Sequence, residues 1–373
     1  MAINASYLAH SSAGGNTYLY AISESWENSA ISAFVDNSTT LRDRCPDEWE
    51  GGINTDGRGV NRAGSGGTID LINSRSDIGK DPCYLTWYDG FLITANYSGG
   101  SFTIFPTDRT GAIRPPVITK TFIGSGPVGK RQLSSHIHTV RVLRRQSNEQ
   151  LFDYLVATDL GSDKFYLYKV TRHSCGTDSI TIVPNSPSSI SVKSGSGPRH
   201  IDFNADGTIM YLLNELSGYL NIYKIENVIN PRSGNREAGL GKKNYHEVPD
   251  VNFKLIQSVA NDTTGAQACG DIHISPDGHS LYASNRRQND GIQVYKIEKE
   301  GKLVKTQYFK TAKHPRNFII LPSGETMLVA SKEERLIQIV KINAGTGKLS
   351  DTGHIIKFET EEPVCIIPRK YHY

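Results

Sequence analysis

The sequence predicts an all-β protein, specifically a β-propeller of four-stranded antiparallel blades. Three observations carry that expectation. One three-strand unit recurs along the chain, turns of the DG and SG type join its strands, and long amphipathic helical patterns are absent.

The clearest copy starts at PRHIDFNADG (198–207), continues through IMYLLN (209–214) and ends with YLNIYKI (219–225). Equivalent copies read CYLTWYDG, FLITAN, SFTIF; DIHISPDG, SLYASN, GIQVYKI; and RNFIILPSG, TMLVAS, LIQIVKI. Fainter ones are SYLAHSSAGG, YLYAIS, AISAF near the start and HTVRVL, DYLVATD, KFYLYKV in the middle. Alternating apolar positions rich in β-branched and aromatic residues fit antiparallel strands joined by hairpins. Copies begin roughly 46 to 77 residues apart, a spacing that suits blades with variable outer strands better than a solenoid. A pair of β-sandwiches is the structural alternative.

The first-strand pattern occurs a seventh time, as PVCIIP at Pro363 to Pro368, with no second or third strand after it. The expectation is one domain over residues 1–373, a seven-bladed ring whose seventh blade is incomplete because no strands precede Ala5. Six closed blades with Pro363 to Pro368 outside the ring would refute that. The stretch from Asp36 to Gly66 has little apolar patterning and reads as a surface excursion.

Composition narrows the partners. With 41 basic against 38 acidic residues spread over 373, a formal charge of +3 builds no extended field for nucleic acid or an acidic membrane. The five cysteines (Cys45, Cys83, Cys175, Cys269, Cys365) are scattered and form no CxxC pair, so neither a disulfide framework nor a zinc site is indicated. The N-terminus lacks a signal-peptide pattern and no apolar run is long enough for a transmembrane helix, which points to the cytoplasm. No metal and no cofactor is expected, and the oligomeric state is not legible.

Antiparallel geometry locates the chemistry. A first strand starts at the edge where the second strand ends, so two alignment columns share one rim. The first column reads Ser6, Cys83, His138, Arg199, Gly270, Arg316 and Val364; the second reads Glu24, Tyr97, Leu160, Glu215, Arg286 and Lys332. His138, Arg199, Glu215, Arg286 and Arg316 thus fall on one arc around the channel, with His136, His200, Asp271 and His314 close by in sequence. Charged side chains at such positions suggest an anionic-ligand site, although Arg199 and Glu215 could simply neutralise one another.

The stretch GSGPVGKR (124–131) imitates a phosphate loop, but Arg131 stands where the hydroxyl residue belongs and a strand, not a helix, follows. It reads as a connection that delivers Arg131 and the HIH triplet to the rim. His136 and His138, two apart on an extended segment, are expected to diverge and not to form a metal pair. The tryptophans Trp26, Trp49 and Trp87 are expected in the core.

GPRHIDFNADGTIMYLLNELSG, DIHISPDGHSLYASNR, HPRNFIILPSGETMLVAS and ITANYSGGSFTIF resemble the lactonase propellers, a family that includes bacterial 6-phosphogluconolactonase and, more distantly, the fungal carboxymuconate cyclase. The likeness runs from about Ala5 to Pro368. It implies a seven-bladed ring with its site at one mouth of the channel. From the cyclase branch it implies a histidine, two arginines and a glutamate, matching His138 in HIHT, Arg199 in GPRH, Arg286 in SNR and Glu215 in NEL. The implied activity is hydrolysis of a sugar-acid lactone, with 6-phosphogluconolactone as first candidate. His138 would be the base, Arg199 and Arg286 would hold the oxyanion or carboxylate, and Glu215 would orient an arginine or shuttle the proton. Arg131, His136 and Arg316 are expected at the phosphate, with His200, Asp271 and His314 as further substrate-binding candidates. Two other functions stay open: cycloisomerisation of a muconate-type diacid, and a non-catalytic propeller that binds a protein partner.

Overall fold

In a computed structural model of the chain, residues 5–13, 16–37, 68–147, 150–173, 179–228 and 248–368 are described. They form twenty-four strands in six four-stranded sheets, each an antiparallel meander in chain order. Blade one comprises β1 (Ala5–Ala13), β2 (Asn16–Ser23), β3 (Ala30–Asp36) and β4 (Ile69–Arg75). Blade two holds β5 (Pro82–Tyr88), β6 (Phe91–Asn96), β7 (Ser101–Pro106) and β8 (Ile118–Thr121). Blade three is built from β9 (Ile137–Ser147), β10 (Gln150–Asp159), β11 (Lys164–His173) and β12 (Ser179–Ser191). In blade four the strands are β13 (Pro198–Phe203), β14 (Ile209–Asn214), β15 (Tyr219–Asn227) and β16 (Val251–Ala260). Blade five runs β17 (Cys269–Ile274), β18 (Ser280–Asn285), β19 (Gly291–Ile297) and β20 (Leu303–Lys310). Blade six ends the series with β21 (Pro315–Ile320), β22 (Thr326–Ser331), β23 (Leu336–Ile342) and β24 (Leu349–Lys357).

Second strands carry apolar side chains on both faces because each lies between two neighbouring blades. FLITAN, IMYLLN and SLYASN are buried throughout. The cores consequently sit between blades. Phe91, Ile93 and Phe102 of blade two meet Leu155, Ala157 and Val140 of blade three. Tyr211, Leu213 and Ile222 of blade four meet Leu281, Ala283 and Tyr295 of blade five in the same way. Each buried leucine, isoleucine or phenylalanine among them contributes about 1.5–3 kcal/mol relative to exposure, and this packing fixes the ring.

The innermost strands pack in sequence, β1 on β5, β5 on β9, β9 on β13, β13 on β17 and β17 on β21. Residues 363–368 were expected to form a seventh innermost strand. They pair with no strand, so among the described residues there are six sheets and the seventh blade is not seen as one. The segment still meets the inner wall, where the Ile366 amide donates to Asn317 Oδ1 at 2.8 Å. Arg316 Nη2 also reaches Glu24 Oε2 at 3.1 Å, joining blade six to blade one across 292 residues of sequence.

The Asp36–Gly66 excursion lies, from residue 38 onward, outside the described residues, as do Cys45, Trp49 and Cys175. Cys83, Cys269 and Cys365 are free thiols. Of the tryptophans, Trp87 stacks on Tyr20 in the first core, whereas Trp26 is 58% exposed, against the expectation of burial. No helix among the described residues is long and apolar enough to cross a membrane.

Candidate active site

One irregularity recurs in every inner strand and builds the rim. Pro198 pairs with Asn214 and His200 with Leu213, so Arg199 has no opposite number. Ser6, Cys83, His138 and Arg316 are skipped in the same manner, and in β17 Gly270 and Asp271 together face Ser284. An extra residue bends a strand and re-aims its side chains. Arg199 and His200, which a flat strand would send to opposite faces, therefore both reach His138. Arg199 Nη1 stands 2.5 Å from His138 Nε2, and the His138 and His200 rings are 5.2 Å apart.

Glu215 follows the end of β14 and is the hub. Its Oε2 accepts from Arg199 Nη1 at 2.6 Å; its Oε1 accepts from Arg131 Nη2 at 2.9 Å and lies 3.3 Å from Arg286 Nη2. Burial would raise this carboxyl's pKa, but Arg199, Arg286 and Arg131 outweigh it and hold the group ionised, well below the usual carboxylate range. The guanidiniums have further anchors. Arg199 Nε donates to Gly270 O at 2.7 Å. Arg286 Nε and Nη2 donate to the Ala268 and Cys269 carbonyls, each at 2.9 Å. Burial, then repulsion from Arg199, lowers the Arg286 guanidinium to about 9 despite Glu215. Three guanidiniums thus meet one carboxylate, which leaves an excess of positive charge at the mouth.

Arg131 arrives on the false phosphate loop, where Gly129–Arg131 forms a single 3₁₀ turn. The amides of Gly126 and Val128 donate to the backbone oxygen and Oε1 of Gln132, at 2.9 and 3.0 Å, so they are not free to cradle a phosphate. Gln132 Nε2 in turn donates to Leu160 O and Asp163 Oδ1. The loop is a bracket for Arg131.

The remaining candidates divide by location. His314 Nδ1 lies 2.9 Å from Glu333 Oε1 and its Nε2 is 3.4 Å from Arg286 Nη1, so it buttresses Arg286. Arg316 is engaged with Glu24. His200 belongs to a second cluster: its Nδ1 is 2.7 Å from Asp271 Oδ1, while Asp271 Oδ2 receives Asn317 Nδ2 at 2.6 Å and lies 3.1 Å from His273 Nε2. Burial lowers His200 to about 4, a shift that the Asp271 hydrogen bond only partly offsets. Burial also raises Asp271, but His273 and His200 hold it ionised, far below its usual value. Tyr84 and Tyr7 pack edge-on against His200.

His136 and His138 do not diverge. Tyr97 stacks on His136 with ring centroids 4.3 Å apart and meets His138 edge to face at 5.7 Å. Residues two apart on an extended segment share a side, and the bulge at His138 keeps both within reach of one ring. Tyr97 occurs in the second rim column but has no charge to draw notice there. Its hydroxyl pairs with the Arg131 guanidinium, and burial raises its pKa.

The order of the blades, the bulged inner strands and a cationic mouth can be set beside known proteins. A family model described as lactonase, 7-bladed beta-propeller, matches residues 59–368. The chain belongs to this lactonase family. The chain is similar to a 6-phosphogluconolactonase of Formosa agariphila, at 35% identity over 289 residues that cover 76% of this chain and 73% of the relative. It is similar also to the 6-phosphogluconolactonase of Bacillus subtilis, at 28% identity over 305 residues, 80% of this chain and 76% of that one. Among solved structures, a Bacteroides fragilis protein superposes on it with a TM-score of 0.76 at 35% identity, covering 97% of this chain and 86% of the other.

Proposed function

We propose that the mouth binds an anionic sugar-acid lactone and hydrolyses it, with 6-phosphogluconolactone as the preferred substrate. The observation that carries this reading is the convergence of Arg131, Arg199 and Arg286 on the single carboxylate of Glu215. Three cations held by one anion are an open site for a further anion, and a buried, preorganised guanidinium is suited to a developing oxyanion. The activity in the names of the relatives agrees with such a ligand.

Several contacts support an assignment of roles within this reading. Arg199 and Arg286 are fixed by backbone carbonyls and hold the carbonyl oxygen as it becomes an oxyanion. Glu215 keeps the three forks in register. Arg131, with one-third of its side chain exposed, meets the phosphate at the rim, assisted by Arg316. His138 is better suited to fixing Arg199 than to acting as the base. Its Nε2 lone pair already accepts from Arg199, and burial followed by the Arg199 charge keeps the ring neutral, well below its usual pKa. His200, held by Asp271, packs edge-on against His138, and His314 braces Arg286.

The same reading extends to the ring. We infer that residues 363–368 take the innermost position of a seventh blade between β21 and β1, supported by the Ile366 bond to Asn317 on β21. Slow hydrogen exchange at the Ile366 amide is expected; exchange at the rate of an exposed tail would refute it.

The deciding experiment is a stopped-flow comparison of 6-phosphogluconolactone with the unphosphorylated lactone, each against a protein-free control. A marked preference for the phosphate ester supports the reading, and rates equal to the control would end it.

A further inference from the structure

Hydrolysis needs a group to take a proton from water, and the mouth's ionisable side chains can be sorted by whether a lone pair is free. Glu215 is spent on three guanidiniums. His138 accepts from Arg199 through Nε2, and its Nδ1 faces Cys83 Sγ at 3.9 Å. His314 has a charged neighbour at each nitrogen. His200 is tied to Asp271 through Nδ1 and is buried behind His138, Tyr84 and Tyr7.

His136 differs. Its Nδ1 lies 3.0 Å from the backbone oxygen of Tyr97. A carbonyl only accepts, so the proton resides on Nδ1 and Nε2 keeps its lone pair. Among the described residues none donates to that nitrogen. The ring is half-buried, stacked on Tyr97, and its backbone N–H is held by Asp159 Oδ1 at 2.8 Å. The groups around it are Tyr97 and Asp159; Tyr97 meets His138 edge to face, and its hydroxyl is directed to the Arg131 guanidinium. An imidazole with one nitrogen anchored by an acceptor and the other open is the arrangement a general base requires.

We propose that His136, fixed in its Nδ1–H tautomer by Tyr97, is the catalytic base of this site; the proposal rests on the lactone-hydrolase reading. The water oxygen bonds to the lactone carbonyl carbon as one of its protons passes to His136 Nε2. The carbonyl π pair becomes an oxyanion opposite Arg199 and Arg286. Collapse of the adduct breaks the bond between the carbonyl carbon and the ring oxygen, and the ring oxygen takes the proton from Nε2. The carboxylic acid product then loses its proton to solvent. Nothing is oxidised or reduced.

The test uses the full chain with 6-phosphogluconolactone, following proton release across pH. His136→Asn keeps a donor toward the Tyr97 carbonyl but removes the base. It should lower kcat by about 100-fold or more, leave KM little changed, abolish the acidic limb of the pH–rate profile, and recover part of its activity on addition of imidazole. Tyr97→Phe preserves the carbonyl and the stack, so it should keep the acidic limb while raising KM through the freed Arg131. His136→Gln repeats the measurement should the asparagine variant melt early. The proposal is overturned if both His136 variants keep kcat within twofold of the parent, if only their KM changes, or if the acidic limb persists in them and disappears in His138→Gln or His200→Gln. A parent protein no faster than the uncatalysed control would overturn the lactone-hydrolase reading itself, and the base assignment with it.

Discussion

Arg199 Nη1, on β13, and Glu215 Oε2, in the turn that follows β14, lie 2.6 Å apart in blade four, and neither side chain is more than 5% exposed. In isolation this would be a mutually neutralising pair. Arg131 and Arg286 on the other carboxylate oxygen turn it into a cationic centre. Glu215→Gln should therefore do more than break one ion pair. It leaves three guanidiniums facing each other, and a loss of about 3–5 kcal/mol is expected. Thermal melting measures it, and added phosphate should restore part of the melting temperature by binding in place of the carboxylate charge.

Gly270 provides a second test because its carbonyl accepts from Arg199 while its Cα faces Arg286. A Cβ at this position would lie 2.5 Å from Ser284 Oγ, 3.0 Å from Pro315 O and 3.3 Å from Arg286 Nε. Gly270→Ala should displace both arginines, lowering kcat/KM about tenfold or more and stability by about 1–3 kcal/mol. Steady-state kinetics and melting of the same preparation separate the two effects.

Gln132 holds the loop that carries Arg131, and its removal takes a partner from Leu160 O and the Val128 amide, while Asp163 Oδ1 keeps the Gly197 amide. Gln132→Ala should cost about 1–3 kcal/mol per buried group left unsatisfied. It should also raise KM for the phosphorylated lactone more than for the unphosphorylated one. Equal changes for both substrates would remove Arg131 from the phosphate.

The buried imidazoles predict acid lability. His200 is lowered to about 4 from an ordinary 6.5, and His138 is lowered too, chiefly by burial. The unfolded chain therefore binds more protons than the folded one once pH falls below about 6.5, so stability must decline from there toward pH 4. His273 acts in the opposite sense: Asp271 raises it against burial, so its contribution is present at low pH and lost as pH rises through its folded value. His314 is lowered as well, again first by burial, so three lowered histidines outweigh one raised. The melting temperature should fall on acidification from pH 7 to pH 5, and His200→Gln should flatten that slope.

Much of this was legible in the sequence, for a physical reason. Alternating apolar residues with DG and SG turns leave a hairpin few alternatives, and IMYLLN or SLYASN cannot be buried on both faces except between two sheets. Blade identity, strand polarity and the sharing of one rim by His138, Arg199, Glu215 and Arg286 follow from that local periodicity. Tyr97 stood in a rim column, but its role was not legible, because nothing in a phenol's sequence context says that its carbonyl and ring will hold a histidine 39 residues away.

The sequence alone thus settled the three inner strands of each blade, which end of each faces the mouth, and which charges collect there, since these depend on neighbours along the chain. Only the tertiary structure decided the pairing: Glu215 with three arginines, His138 capped by Arg199, His136 left with an open nitrogen, and residues 363–368 lying unpaired. Those outcomes depend on one-residue bulges and on distances between different blades. A shift of an ångström there reverses whether a lone pair is free or taken, and no local pattern encodes that.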